Sequence, residues 1–484
     1  MHKSELKSEL TLFDVTNLVV GAIIGADIYV ASALGARLLG SWSLIVWVLA
    51  GIIAIVIALC FAQCAALLPR VGGPYAYAHA AWGTFAGFIV GWSLWLAEWL
   101  SLAVFPVAFV QYLMFFVNLD PISQVVVKTL FVAFLIITNI VGVKAAGRTN
   151  DVLTLVKLFP LVFFVAVGLF YIASNTATAV MNLQPSSLVN FGNFGSALVL
   201  IFWAYAGFEI STIPTEEIKE PGKTIPKAIM LGISIVIIFY LITNVVLFAV
   251  MGSKALADPM VTAPLATATN MMLKSIPALA VIGGIIVGGG ALISVAGSDE
   301  SGMIGTSRLG YALAADGLFP RVFAKIHPKF KTPYLGILIQ ATTALVAAII
   351  GQLGMLIATS VFFMAIAYVA TSASIFSLRK KNTEAQFQLK GGSLIPILGV
   401  VFSLFLITQC ALEQIALGLV LLLVGVPIYV KYSPKKEITE LKNALLSRES
   451  LIKRAHGQEE VFLANVLRHI KRFYRKRWKK TDAG

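Results

Sequence analysis

Charge is what this chain has least of. Asp, Glu, Lys and Arg together make up 12% of its 484 residues, and histidine adds only five. A soluble domain carries about a quarter of its residues charged, so a water-soluble globule is excluded. Cysteine is nearly missing: Cys60, Cys64 and Cys410 sit in apolar stretches, too few and too scattered for a disulfide framework or a zinc site, and read as small apolar core residues. There is no phosphate loop, no Ser-His pairing and no metal-ligand spacing, so neither an enzyme nor an ATP-driven pump is expected, and no metal or cofactor. A cleaved leader is also not expected. The opening "MHKSELKSELTLFD" is polar, and the apolar run behind it is too long for a signal peptide.

What fills the chain instead is apolar: 58% of residues are hydrophobic and the mean hydropathy is +0.89. Several runs exceed the ~20 residues a helix needs to cross a bilayer, and they are too long for barrel strands. The expected fold is an all-α polytopic membrane protein with 12 transmembrane helices, over 12–38, 43–69, 84–117, 124–143, 150–174, 192–217, 224–251, 277–313, 333–351, 354–379, 394–410 and 413–431.

Net charge is +14, from 37 Lys+Arg against 23 Asp+Glu, which in a soluble protein would suggest nucleic acid as partner. Placement argues against that. With residues 1–11 in the cytoplasm, Arg70, Lys144, Arg148, Lys219, Lys223, Lys227, Arg321, Lys325, Lys329, Lys331, Arg379, Lys380, Lys381 and Lys390 all fall inside. Only Arg37, Lys254 and Lys274 fall outside. Both termini are therefore expected to be cytoplasmic, in a cell (plasma) membrane protein, with oligomeric state open. The segment 433–484 forms a basic tail whose apolar spacing would let it lie on the inner leaflet through Arg472, Arg475 and Lys476; a solvated tail is the equal alternative.

Two runs are interrupted in matching ways. The first carries Gly21, Gly25 and Asp27, and the sixth carries "WAYAGFEISTIP", with Gly207 in mid-run and Glu209 beside it. Broken helices opening two successive five-helix sets point to a five-plus-five inverted repeat with discontinuous helices 1 and 6. On that reading 12–174 is the first repeat, 192–379 the second, and 394–431 two added helices. The bland alternative is that glycine is common in membrane helices as a packing notch.

Several blocks resemble the amino acid-polyamine-organocation (APC) permeases. These are "YAGFEISTIPTEEIKEPGKTIPKAI", "GTSRLGYALAADGLFPRVFAKIHPKFKTPY", "LLPRVGGPYAYAHAAWG" and "NIVGVKAAGRTNDVLTLVKL", in family order. The resemblance implies alternating-access transport of amino acids or related amines. It also implies that bare amides at the helix-one break take the substrate carboxylate, through Ile24, Gly25, Ala26 and Asp27. The third position of that family motif is usually glycine, and here it is Asp27. One reading makes Asp27 the ligand of a cationic amine or polyamine. The other has Asp27 neutralised within the protein, most plausibly by Lys157, leaving the amides for an ordinary amino acid.

Lys157 matches a helix-five lysine that in some proton-coupled relatives stands where others bind sodium; snorkelling toward the inner surface is the alternative. Trp203, Ala204, Tyr205 and Gly207 would flank the substrate at the second break, although Trp203 could simply be core. Glu209 is costly to ionise at mid-membrane and so suited to carry or sense a proton. Of Asp299 and Glu300, about 100° apart on one helix, Glu300 is placed nearer the pathway. Glu98 is a further intramembrane acid, and Gln63 stands where many relatives carry an acid. Partners are then an amino acid or amine, protons and the lipid bilayer. A non-transporting amino-acid sensor or receptor, cued by the basic tail, is the expectation of another class.

Overall fold

Thr11 and Asp14 open the first helix. Asp14 accepts the Thr11 amide and hydroxyl, each at 2.7 Å, which satisfies donors that a helix start leaves free. The computed structural model describes residues 10–70, 72–142, 147–185, 190–212, 218–381, 387–388 and 392–433. The tail from 434 on, residues 1–9, Lys144 and Lys390 lie outside them, as does Pro214 of the second interrupted run.

Among the described residues the chain is helical, with one isolated β-bridge between Leu10 and Ile218. In order the helices are α1 (Leu12–Ile23), α2 (Ala26–Leu39), α3 (Ser43–Leu67), α4 (Pro74–Trp82), α5 (Thr84–Leu113), α6 (Pro121–Val141), α7 (Gly147–Ser174), α8 (Thr176–Leu183) and α9 (Phe194–Phe202). Then come α10 (Pro221–Leu256), α11 (Pro264–Leu273), α12 (Pro277–Ala315), α13 (Tyr334–Ile350), α14 (Leu353–Lys381), α15 (Leu394–Gln409) and α16 (Leu412–Tyr432). Eight helical stretches among the described residues are long and apolar enough to cross a membrane, one of them running through α2 and α3. Four shorter apolar helices accompany them: Leu12–Ile23, Phe191–Tyr205, Tyr334–Ile350 and Leu394–Gln409.

Three helices stand where loops were expected: α4, α8 and α11. Each starts at or beside a residue that ends the preceding segment, Pro74 and Pro264 at the first helical position and Asn175 before Thr176. They are too short to cross a bilayer and too polar to appear as apolar runs.

The helices sort into a sheltered set and a peripheral one. Most side chains of α5 and α14 are buried, whereas α6, the Val156–Ser174 stretch of α7 and α16 bury fewer than a third of theirs. Leu130, Phe134 and Leu423 are each at least 60% exposed, as lipid-facing residues would be. Inside, helices approach closely through small residues, as membrane helices do in the absence of a hydrophobic force between them. Gly290 of α12 lies against Pro160 of α7, and Gly399 of α15 against Cys60 and Ser372. Cys60, Cys64 and Cys410 are all buried and unbridged. The helices α3, α5, α10, α12 and α14 pack around the two interrupted segments.

Gly21 corrects one expectation. It lies inside α1 rather than at the break, and a Cβ there would meet Thr154 Oγ1 at 2.6 Å. It is a notch that lets α1 and α7 touch. The break falls three residues later.

Candidate functional site

At the first break the helix stops at Ile23. Ile24 is extended (φ −76°, ψ 101°), and Gly25 caps the new helix α2. Ending a helix frees carbonyls and starting one frees amides. Three of these groups, Ile23 O, Ile24 O and the Gly25 N–H, are met by side chains. Ile24 O accepts from Ser298 Oγ of α12 at 3.1 Å, and Ile23 O lies 3.2 Å from the Tyr240 hydroxyl of α10. The Gly25 N–H donates to Asp27 Oδ1 at 2.7 Å, and the Tyr240 O–H donates to Asp27 Oδ2 at 2.5 Å. Asp27, 5% exposed, thus holds a carboxylate on the first turn of α2, where the helix dipole favours an anion.

The second break repeats the device. α9 tightens into a 3₁₀ turn at Trp203–Tyr205, Ala206 is extended, and Gly207 takes φ +116°, a conformation that favours glycine. The chain then resumes as a 3₁₀ segment, Phe208–Thr212. The Gly207 N–H donates to Glu209 Oε2 at 3.0 Å, and the Tyr368 O–H of α14 donates to Glu209 Oε1 at 3.1 Å. The breaks face each other directly: a Cβ on Gly207 would lie 2.8 Å from Ala22 O and 3.2 Å from Ile23 Cα.

Between them lies a cavity of roughly 50 Å³. A single water needs about 10–15 Å³ on that measure, so it holds a few waters or the head of a small solute. Of the residues expected to bind substrate, Gly25, Asp27, Trp203 and Gly207 line it; Ile24, Ala26, Ala204 and Tyr205 do not. Tyr205 turns its hydroxyl to Trp47 O at 3.1 Å instead. Trp203 is oriented from outside its own segment. Its indole N–H donates to Ser101 Oγ at 3.2 Å, Ser101 lies 3.0 Å from Ser360 Oγ, and Ser360 donates to Ala97 O at 2.8 Å.

Lys157 is 6% exposed, so it does not snorkel to the surface, and its Nζ donates to Ser298 Oγ at 3.2 Å. Gly297 makes the room: a Cβ there would lie 2.5 Å from Lys157 Cε. Through Ser298 the ammonium reaches Ile24 O, the end of the first half-helix. It forms no ion pair with Asp27; the ion pair found among the described residues is Lys223–Glu220, on the surface. Glu300 is half-buried and within electrostatic reach of Lys157, but does not line the cavity. Asp299 is buried with both carboxylate oxygens unpartnered, also away from the cavity.

Sequence reasoning missed Tyr240, Tyr368, Ser101, Ser298 and Ser301. For the serines a signal existed: Glu98, Ser101 and Phe105 recur at i, i+3, i+7, as do Ser298, Ser301 and Gly302 at i, i+3, i+4, each set on one helix face turned to the cavity. Gln63 donates to Phe387 O at 2.9 Å, tying the end of α3 to the segment before α15.

The family model for amino acid permeases matches residues 10–426. The branched-chain amino acid permease BcaP of Bacillus subtilis (strain 168) is 30% identical over 456 residues, covering 90% of this chain and 94% of that protein. The serine/threonine exchanger SteT of the same organism is 28% identical, over 90% of this chain and 99% of its own length. The human large neutral amino acids transporter small subunit 2 is 29% identical, over 88% and 80%. The chain belongs to the amino acid permease family of the APC superfamily, and it is an integral membrane transporter, not an enzyme.

Proposed function

We propose that this permease is a secondary transporter that carries a small amino acid by alternating access through the cavity between the two breaks, with protons or a counter-solute as the coupled species. The observation that carries this reading is the pair of interrupted segments meeting over one cavity, at Gly25 and Gly207. Polar main chain exposed at mid-membrane is tolerated only where it lines a cavity or is buried in protein. Twelve spans, a five-plus-five inverted repeat, cytoplasmic termini and a plasma-membrane location belong to the same proposal. The charge asymmetry of the loops and the matching positions of the breaks support it.

Lys157 supports independence from sodium. Its ammonium, linked through Ser298 to Ile24 O, holds the end of the first half-helix as a bound cation would. Glu209, clamped by Gly207 and Tyr368, and Glu300, within electrostatic reach of Lys157, are the acids we assign to sensing protons during the change of conformation, while solute binding leaves their protonation unchanged. A second reading, a carrier of cationic amines, is favoured by one observation: the charged residues lining the cavity are both acids, Asp27 and Glu98.

Uptake of labelled leucine, serine and putrescine into proteoliposomes tests both. The first reading predicts amino acid accumulation driven by an inward proton gradient or by internal amino acid, unchanged when sodium is replaced. Uptake of putrescine alone would favour the second, and no flux of any of the three would defeat both.

A further inference from the structure

The helix-one break is an anion site that already holds an anion. The Gly25 amide points from the start of α2, where free N–H groups and the dipole favour negative charge, and Asp27 Oδ1 occupies it at 2.7 Å. The occupant sits on a side chain that can rotate, on a residue that lines the cavity. Its second oxygen is held by Tyr240, and that hydroxyl has another acceptor within reach. Asp27 Oδ2 lies at 2.5 Å and Ile23 O at 3.2 Å, with one hydrogen to share between them. Tyr240 can therefore satisfy itself whether or not Asp27 is charged.

We propose that Asp27 is a displaceable internal ligand whose exchange for a substrate carboxylate is coupled to uptake of one proton. This rests on the transporter reading and names the coupling group within it. Two carboxylates sharing one small, water-poor site cannot both stay ionised. As the substrate carboxylate arrives, a proton from the water on the open side of the cavity goes to Asp27 Oδ2. The Tyr240 O–H swings from Oδ2 to Ile23 O, and the new Asp27 O–H donates to Tyr240 Oη. Oδ1 then releases the Gly25 N–H, and the substrate carboxylate takes it. On release the order reverses, and the proton leaves with the solute.

The groups facing Asp27 come from several elements. Tyr29 on α2 itself has a buried hydroxyl beside Ser294, and α5 brings Tyr112, bonded to Tyr29 O, and Glu98 at the cavity wall. Besides Tyr240, α10 is accompanied by Tyr205 of the second break, whose ring lies 5.7 Å from that of Tyr240. From α7 comes Lys157, one serine removed, and from α12 Glu300 beyond it. α9 and α11, also packed against α2, bring no charged side chain. Of the acids at the cavity wall, Asp27 has both oxygens engaged by the break and its tyrosine. Displacing it is what opens the amide.

Titration calorimetry on the purified full chain tests this, with leucine and serine as zwitterions and putrescine as an amine without a carboxylate. Running each in buffers of different ionisation enthalpy gives the number of protons bound. The expected result is about one proton taken up per zwitterion, with affinity falling by up to about tenfold per pH unit, because binding that takes up a proton weakens as pH rises. Asp27→Asn keeps an acceptor for the Gly25 amide without the charge, and Asp27→Gly removes the occupant; both should bring the proton count to zero and flatten the pH profile, with Asp27→Gly binding tighter. A wild-type count of zero, or a wild-type count retained in either variant, overturns the proposal while leaving amino acid transport standing. Binding of putrescine but of neither zwitterion overturns it in favour of the cationic reading. Absence of binding by all three overturns it together with the transporter reading.

Discussion

The two breaks share one clamp and differ in access. Each has a glycine whose amide is taken by the carboxylate two residues on, Asp27 for Gly25 and Glu209 for Gly207, and each carboxylate is held on its other side by a tyrosine from a distant helix. Asp27 lines the cavity; Glu209, 1% exposed, does not. The first break resumes as the 14-residue helix α2 and leans on a lysine through Ser298, while the second resumes as a five-residue 3₁₀ segment with Phe208 against Phe61 and Tyr368. The same local chemistry can thus serve as a solute subsite where it meets a cavity and as a fixed joint where aromatic rings close over it.

The most damaging way to break this comparison is at Gly207. Gly207→Ala forces a side chain into φ +116° and toward Ala22 O at 2.8 Å. The backbone cost alone is about 1–3 kcal/mol, and the two segments must also separate. Loss of flux and a lower melting temperature in detergent are expected. Gly25→Ala avoids the positive-φ cost, its φ being −143°, but its Cβ would lie 2.8 Å from Ser298 Cβ and Oγ, so it too should lower the melting temperature, by less than Gly207→Ala.

Next in size is Lys157→Met, which removes the ammonium from Ser298 at one break and touches nothing at the other. A hydrogen bond to a charged group contributes about 1.5–3 kcal/mol, so uptake should fall by about tenfold or more at every pH. Uptake within twofold of wild type would remove Lys157 from the account.

The tyrosines sharpen the comparison. Tyr240→Phe and Tyr368→Phe each delete one hydrogen bond to a buried carboxylate, and both should lower the melting temperature by similar amounts, reflecting about 1–3 kcal/mol. Only Tyr240→Phe should also alter the pH dependence of leucine binding. If Tyr368→Phe alters it instead, the roles of the breaks are reversed.

The smallest expected effect is at Ser101. Ser101→Ala leaves the Trp203 indole without its partner and Ser360 without one of its contacts. A neutral hydrogen bond contributes about 0.5–1.5 kcal/mol, so a few-fold loss of substrate affinity is expected, without change in proton count.

Both breaks were legible in the sequence, because glycine with an acid two residues on is unusual in an apolar run. So was Lys157, through its match to a helix-five lysine of proton-coupled relatives. The clamps were not. Tyr240 lies 213 residues from Asp27 and Tyr368 lies 159 from Glu209, and nothing in a chain with 13 tyrosines marks those two. Gly21 was misread because a packing notch and a helix break use the same residue; Thr154 across the interface makes the difference. Neutralisation of Asp27 by Lys157 was the natural pairing of opposite charges. In the fold Ser298 stands between the lysine and the break, and Asp27 is satisfied by an amide and a hydroxyl.

An experimental structure of the full chain with bound leucine tests the central claim most directly. The account predicts the leucine carboxylate within hydrogen-bonding distance of the Gly25 amide, with Asp27 swung away and Tyr240 turned to Ile23 O. Leucine seated in the cavity while Asp27 still holds the Gly25 amide would contradict it.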